Sequence, residues 1–207
     1  MINKLLFIII CMFLAGISAD AKIKNSLTEQ KLKGRVAMIT EKVFVAHDTI
    51  LRPENRMMSK TISKFDEKGF LTELDCFSDR EKLISIDLYR YDTIRGLKIE
   101  VCSLYPDSAF KEKTLFKYDD KGNIIEERTY EKEDSLKPAV VNKYDPNAKE
   151  EPEFDSDEEK IDIVVTTRLK DFDKQGNWLT ELKFEKKIPM SITTREIEYF
   201  TKPDDEK

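Results

Sequence analysis

The sequence is poor in the residue types on which most active sites depend. It has one histidine, His47, together with three cysteines, six glycines and a single tryptophan among 207 residues. A Ser-His-Asp or Cys-His nucleophile system would have to use His47, and its surroundings, FVAHDT, contain no nucleophile-elbow motif. Zinc sites need several His or Cys ligands, and no glycine-rich phosphate loop occurs. We therefore expect no metal, no cofactor and no catalytic activity.

The charge balance narrows the class of partner. The formal net charge is −5, charged residues make up 37% of the chain, and no basic cluster is present. An acidic chain without a basic patch argues against nucleic acid as a partner. So many charges indicate a thin core, which suits a sheet with one solvated face. Pairs of acidic residues are unavoidable in this composition, so a hydrolase using paired carboxylates is the enzymatic alternative.

The N-terminus has the pattern of a secretory signal. Lys4 precedes an apolar run of about 13 residues, Leu5–Ile17, and small residues follow it. We predict a signal peptide over 1–21 with cleavage before Lys22, and hence a periplasmic or secreted protein. The alternatives are an uncleaved membrane anchor and a lipid-modified Cys11. No later segment is apolar enough to span a membrane.

The chain contains a repeat. Three segments are closely alike, KFDEKGFLTEL from Lys64, KYDDKGNIIEE from Lys117 and DFDKQGNWLTEL from Asp171, and weaker copies begin at Arg90 and Lys143. Their aromatic residues are spaced by 26, 27, 26 and 28 positions: Phe65, Tyr91, Tyr118, Tyr144 and Phe172. A fixed period of this length is the mark of a repeated supersecondary unit.

The shared core of the unit predicts a tight turn. An Asp at the first position of a type I turn accepts hydrogen bonds from the turn backbone, and a Gly three residues later closes a G1 bulge. The pairs with this spacing are Asp66 and Gly69, Asp119 and Gly122, and Asp173 and Gly176. Asp92 and Gly96 have one extra residue between them, and Asp145 has no Gly partner. Each unit is therefore predicted to contain a strand, a tight turn, a second strand and a looser connection.

We predict an all-β protein, an antiparallel meander of repeated β-hairpins in one strongly twisted sheet that curls towards a half-barrel. It has about ten or eleven strands, placed near 35–46, 56–65, 70–77, 83–91, 97–105, 112–118, 123–130, 138–144, 160–172, 177–184 and 190–200.

The predicted β domain covers 34–200, with other segments around and within it. Residues 22–33 are a polar linker or a short helix in which Ser26 and Glu29 form a capping box. The segment 145–160 is rich in carboxylates and reads as a solvated acidic loop. A calcium loop is its functional alternative, although the EF-hand order of ligands is absent. Residues 201–207 read as a disordered tail.

Two cysteines of the β domain, Cys76 and Cys102, are 26 residues apart. In a simple meander they lie on next-nearest strands, about 9.6 Å apart, which exceeds the roughly 7 Å that a disulfide allows. In a solenoid with stacked equivalent strands the bond would form easily. The meander, which we favour, leaves both thiols unbonded.

The aromatic residues supply the candidate binding sites. A second series, Phe77, Tyr105, Tyr130 and Phe184, recurs near the far end of each unit. Both series fit cross-strand core packing, and the functional alternative is an exposed platform for sugar rings or an extended peptide. Trp178, after the last tight turn, is either a core residue or a stacking surface. The residues proposed for binding are Trp178, Tyr118, Tyr130 and Phe184.

The units KFDEKGF, KYDDKGNIIEE and DFDKQGNW resemble the YD repeat of rearrangement-hotspot proteins. They resemble most closely the short exported YD-repeat proteins of Bacteroidetes-type bacteria, which open like Leu32–Glu41 and close like Gly176–Trp178 and Ser191–Tyr199. The resemblance covers 32–200. It implies an architecture of β-hairpins and no assigned chemistry. Long members look like shells around a toxin domain, for which five units are too few.

The function expected from these features is that of an exported, non-catalytic β-repeat protein of the cell envelope that binds a protein partner or a glycan. A sheet face or an open edge would supply the binding surface. The alternatives are a structural or scaffolding repeat protein and an envelope hydrolase.

Overall fold

The described part of the chain forms one antiparallel sheet of eleven strands preceded by a one-turn helix. The computed structural model describes residues 24–48, 50, 55–135, 137–145 and 165–201. The helix, α1, is Ser26–Glu29. The strands are β1 (Val36–Val45), β2 (Met57–Phe65), β3 (Leu71–Phe77), β4 (Leu83–Asp92), β5 (Leu97–Leu104), β6 (Phe110–Tyr118), β7 (Ile124–Tyr130), β8 (Val140–Lys143), β9 (Val165–Phe172), β10 (Trp178–Glu185) and β11 (Ile188–Tyr199).

The predicted all-β antiparallel sheet is confirmed, and its strands begin and end within about two residues of the predicted bounds. The exception is the predicted start of β9 at residue 160, which lies outside the described residues. The predicted signal peptide, most of the acidic segment 145–160 and residues 202–207 also lie outside them. No helix in the described ranges is long and apolar enough to cross a membrane.

The Asp-to-Gly turns owe their shape to one side chain each. In the turn between β6 and β7, Asp119 Oδ1 accepts from the backbone N–H groups of Lys121 at 2.9 Å and Asn123 at 2.8 Å. Gly122 donates to the Asp119 carbonyl at 3.2 Å and has φ +87°. The turns at Asp66 and Asp173 repeat this pattern. A Gly is needed because other residues rarely adopt this backbone conformation.

Two connections at the other end of the sheet, between β3 and β4 and between β5 and β6, are as tight, which differs from the looser connections that the sequence predicts. Ser78 Oγ accepts from the N–H groups of Arg80 at 3.2 Å and Lys82 at 3.3 Å, so serine takes the part that Asp plays elsewhere. Glu81 and Ser108 occupy the left-handed position, with φ of +54° and +65°. These turns lack the glycine that marks the others in the sequence.

The strand order places the two ends of the domain side by side. It runs β8-β7-β6-β5-β4-β3-β2-β1-β11-β10-β9, and β1 pairs with β11 through contacts such as Ile39 opposite Ile197. The sheet is not closed into a barrel, and β8 and β9 are its edges. Each strand is antiparallel to its neighbours in the sheet. The strand direction reverses ten times between β8 and β9, so these two edge strands run the same way.

Small apolar clusters lie on both faces of the sheet, whereas the composition predicts that one face is buried and the other solvated. One contains Leu27, Val36, Ile39 and Phe65, and the other contains Ala46, Leu182, Phe184 and Ile192. Ile192 is opposite Phe44, five residues from Ile39 in β1, so the clusters lie on opposite faces. The segment before β1 covers the first cluster through Leu27. We call these the Glu41 face, which includes Ile39, and the Phe44 face.

The cysteines also lie on opposite faces. Cys76 is opposite Ser85, and Cys102 is opposite Leu88, three residues further along β4. Side chains alternate between faces along a strand, so the two thiols point away from each other. Both are free, as the meander predicts.

Candidate functional site

Three grooves of the sheet contain three of the four aromatic residues proposed from the sequence. Two grooves are on the Glu41 face: the Trp178 groove, across β2, β1, β11 and β10, and the tyrosine groove, beside α1 and β4. The third, the Phe184 groove, is at the β9 edge of the Phe44 face. The side chains of the three grooves differ in how many hydrogen bonds and ion pairs they already make within the chain.

The segment before β1 forms one wall of the tyrosine groove. Asn25 caps α1, since its Oδ1 accepts from the Thr28 N–H at 2.9 Å, whereas the sequence predicts Ser26 as the cap. Asn25 Nδ2 also donates to the Lys68 carbonyl at 2.6 Å. Ser26 is therefore available to accept from the Leu71 N–H at 2.9 Å and to bond the Tyr91 hydroxyl at 3.3 Å. These contacts hold α1 against the first tight turn and β4.

The tyrosine groove has a volume of about 360 Å³. Tyr89 and Tyr91 are two residues apart in β4 and therefore lie on the same face, and Tyr118 comes from the end of β6. The Tyr91 ring packs on Phe70, with 4.9 Å between ring centres. Leu71 and Leu97 complete the apolar lining. The local sequence thus gathers three phenol rings within one shallow cavity.

The three tyrosine hydroxyls differ in their engagement. That of Tyr91 bonds Ser26, and that of Tyr118 donates to the Lys98 carbonyl. The Tyr89 hydroxyl has no hydrogen-bond partner in the described part of the chain. Burial, followed by the negative charge of Asp87, raises the pKa of Tyr89 to about 12. Tyr89 is therefore a neutral donor available to a ligand.

Two further polar groups at the rim of this groove are unengaged. The Glu29 carboxylate and the Gln30 amide line it from α1 and the residue after it. Both residues are exposed, and neither side chain has a hydrogen bond within the described ranges. Ligand sites combine apolar and aromatic walls with a few convergent polar groups. A carboxylate, an amide and a phenol around aromatic rings meet that description.

The Trp178 groove has a volume of about 440 Å³, but its charges are paired. The Arg195 guanidinium carbon lies 3.5 Å from the centre of the Trp178 ring, and Arg195 Nε donates to Glu41 Oε1 at 2.8 Å. Lys183 Nζ lies 3.4 Å from Glu181 Oε2. One face of the half-buried indole is thus covered by a cation.

The two carboxylates of the Trp178 groove are relevant to the hydrolase alternative. Acid–base hydrolysis needs one carboxyl group held as the acid while the other acts as base or nucleophile. Glu41 and Glu181 each form an ion pair with a cation, Arg195 and Lys183 respectively. This arrangement suits a structural ion-pair network that joins β1, β11 and β10.

Tyr130 lines none of these three grooves, whereas Phe184 lines the Phe184 groove, on the opposite face of the sheet from Trp178 and Tyr118. Tyr130 is on β7, where Lys113 Nζ lies 5.7 Å from its ring centre. Phe184 is buried in the cluster of the Phe44 face, and Arg168 lies 5.4 Å from its ring centre. Trp178, Tyr118, Tyr130 and Phe184 are therefore not brought into one site. Their roles in binding stay predictions.

Sequence reasoning missed Tyr89 and the side chains of α1. The i, i+2 spacing of Tyr89 and Tyr91 within a predicted strand was a usable signal, because it places both on one face. Nothing in the sequence places Glu29 beside them. His47 is exposed at the end of β1. Across the described residues, no three His, Cys, Asp or Glu side chains are grouped to hold a metal ion.

These features define an open, single-sheet β protein with shallow grooves on both faces. No family model matches the chain, and no curated protein matches it. Among solved structures it is similar to a porin-like protein from Bacteroides uniformis ATCC 8492, at 8% identity and a TM-score of 0.28. That match covers 80% of this chain and 98% of the other. The score is too low to establish a common fold, and the relation to YD-repeat proteins stays a prediction.

Proposed function

We propose that this is an exported, non-catalytic β-repeat protein of the cell envelope that binds a glycan in the tyrosine groove. The signal-like run Leu5–Ile17 supports export. The observation that carries the binding proposal is the set of uncommitted polar groups around aromatic rings: the Tyr89 hydroxyl, the Glu29 carboxylate and the Gln30 amide.

A sugar ring suits this groove because it presents both apolar C–H faces and hydroxyl groups. The rings of Tyr91 and Tyr118 supply amphipathic contact surface. The Glu29 carboxylate accepts hydrogen bonds from hydroxyls, and the Gln30 amide and Tyr89 phenol donate and accept them. The groove is open, so it suits one or two rings of a longer chain rather than an enclosed small molecule.

The test is a glycan array probed with purified residues 22–207, followed by calorimetry on the retained glycan. We expect Tyr89→Phe to weaken binding about three- to tenfold, the usual worth of one hydrogen bond. Glu29→Ala should weaken it at least as much, since bonds to a charged group are stronger. The matched control is Tyr105→Phe, because Tyr105 is 49% exposed on a connection at the other end of the sheet.

The variants at residues 29 and 105 alter exposed side chains, so the fold should be unaffected, and urea unfolding checks this. An array on which no glycan is retained would contradict the proposal and favour a scaffolding role. So would a bound glycan whose affinity is insensitive to both Tyr89→Phe and Glu29→Ala.

A further inference from the structure

The two faces of the edge strand β9 expose different kinds of side chain. Val165 is 59% exposed and Leu169 is 42% exposed. They are four residues apart, so they lie on the same face, the Glu41 face, since Leu169 is opposite Glu181. Arg168, one position away from Leu169, lies on the Phe44 face. The exposed edge is thus apolar on one side and cationic on the other.

The cationic side of β9 forms part of a groove. The Phe184 groove has a volume of about 430 Å³ and is lined by Thr166, Thr167, Arg168, Phe184 and Lys187. Both cations are exposed. Neither Arg168 nor Lys187 forms a salt bridge with a carboxylate in the described part of the chain. Their positive charge is therefore available to an anionic side chain placed over Phe184.

We propose that β9 is the docking edge for one extended segment of a partner protein whose side chains alternate between apolar and acidic. Such a segment would add to the sheet through main-chain hydrogen bonds. Its apolar side chains would cover Val165 and Leu169, and its acidic side chains would lie over Arg168 and Lys187. The alternation has the period of a strand, so one segment satisfies both faces.

The strand directions fit this mode of docking. All neighbouring strands of the sheet pair antiparallel, so a segment running antiparallel to β9 would continue the same pattern. Antiparallel pairing is the more stable arrangement. The site is separate from the tyrosine groove, which lies between β3 and β6, so the two proposals stand or fall independently.

The test uses the purified protein and three synthetic peptides of about nine residues. The first alternates valine and glutamate, the second replaces each glutamate by lysine, and the third has proline at the centre of the first. We expect only the first to bind, as measured by fluorescence anisotropy. Amide hydrogen exchange should show new protection in Val165–Phe172, which diffuse charge attraction would not produce.

The double variant Arg168→Glu/Lys187→Glu should weaken binding of the glutamate peptide at least about tenfold. The matched control is Lys111→Glu/Lys117→Glu, which changes the same charges at exposed positions of β6, inside the sheet. Circular dichroism confirms that both variants fold. The proposal is overturned if the glutamate peptide does not bind, if the lysine or proline peptide binds equally well, or if β9 gains no protection.

Discussion

Asn177 binds both backbone groups of Lys33, a residue 144 positions earlier in the chain. Its Oδ1 accepts from the Lys33 N–H at 2.8 Å, and its Nδ2 donates to the Lys33 carbonyl at 2.9 Å. Nδ2 also donates to the Tyr199 hydroxyl at 2.7 Å, and that hydroxyl donates to Asp173. One amide thus joins the last tight turn, the segment before β1 and the end of β11, next to the pairing of β1 with β11.

We expect Asn177→Ala to lower the free energy of unfolding by about 2–3 kcal/mol, because the substitution leaves the partly buried backbone groups of Lys33 and the Tyr199 hydroxyl without this partner. The matched control is Asn123→Ala. Asn123 directly follows Gly122, as Asn177 directly follows Gly176, but Asn123 is exposed. Within the described residues its side chain bonds only Asp119. Its loss should cost less than about 1 kcal/mol. Urea unfolding of both variants measures the difference, and equal costs would contradict a special role for Asn177.

The raised pKa of Tyr89 predicts a specific loss of stability in alkali. In the folded protein this pKa is about 12, against about 10 in an unfolded chain. The stability that Tyr89 contributes is therefore fully present below pH 10 and is lost as pH rises through 12. We expect Tyr89→Phe to lose less stability than the parent between pH 10 and 12, by at most about 2–3 kcal/mol.

Absorbance titration of tyrosinate checks the same group directly. The difference between the parent and Tyr89→Phe titration curves isolates one phenol of the seven in the chain. We expect the midpoint of that difference near pH 12. A midpoint near pH 10 would mean that Tyr89 is fully solvated, and the tyrosine groove would then lack the half-buried donor on which the glycan proposal depends.

The raised pKa of Asp75 predicts a second loss of stability with rising pH, at lower pH than the loss at Tyr89. Its carboxylate is buried opposite Ile62 and Ile86, and its Oδ1 has no partner among the described residues. Desolvation raises its pKa, against the opposing bond and charge of Lys64. A raised folded pKa means that the stability contributed by Asp75 is present below about pH 4 and is lost as pH rises.

Asp75→Asn removes this titration. We therefore expect the stability of the variant relative to the parent to improve between pH 4 and pH 7.5, as measured by urea midpoints at the two pH values. The control is Asp120→Asn, since Asp120 is an exposed turn residue. If the Asp75 variant loses stability relative to the parent over this range, the Lys64 ion pair dominates over desolvation.

The sequence predicts the local parts of this fold well because four of the five repeats carry their own tight turn. An Asp that bonds its own turn backbone, followed by Gly at a positive φ, sets the hairpin without help from distant residues. The pairing of β1 with β11 could not be predicted in this way, since it depends on contacts such as Asn177 with Lys33 across the whole domain. The opposite faces of Cys76 and Cys102 likewise require the observed register.

The candidate site, like the fold, could be predicted from the sequence only in part. Tyr118 could be singled out because it occupies a recurring position of the repeat, and Trp178 because it is the only tryptophan and follows the last Asp-to-Gly turn. Both line grooves. The partners that decide their roles come from outside the repeat. Arg195 covers Trp178 from the last strand, and α1 brings Glu29 to the groove of Tyr118. Neither neighbour has a signal in the sequence, because both are set by tertiary packing.

The hairpin between β10 and β11 offers a stabilising change. Its two loop residues, Lys186 and Lys187, have φ of +46° and +72°, where a side chain with Cβ is strained. Two-residue loops of this kind favour Asn-Gly. We expect Lys186→Asn/Lys187→Gly to raise the free energy of unfolding by about 1 kcal/mol. Gly122→Ala, at φ +87° with space around its Cβ, should lower it by about 1–2 kcal/mol. Urea denaturation that gave the same sign for both would show that backbone strain does not control these turns.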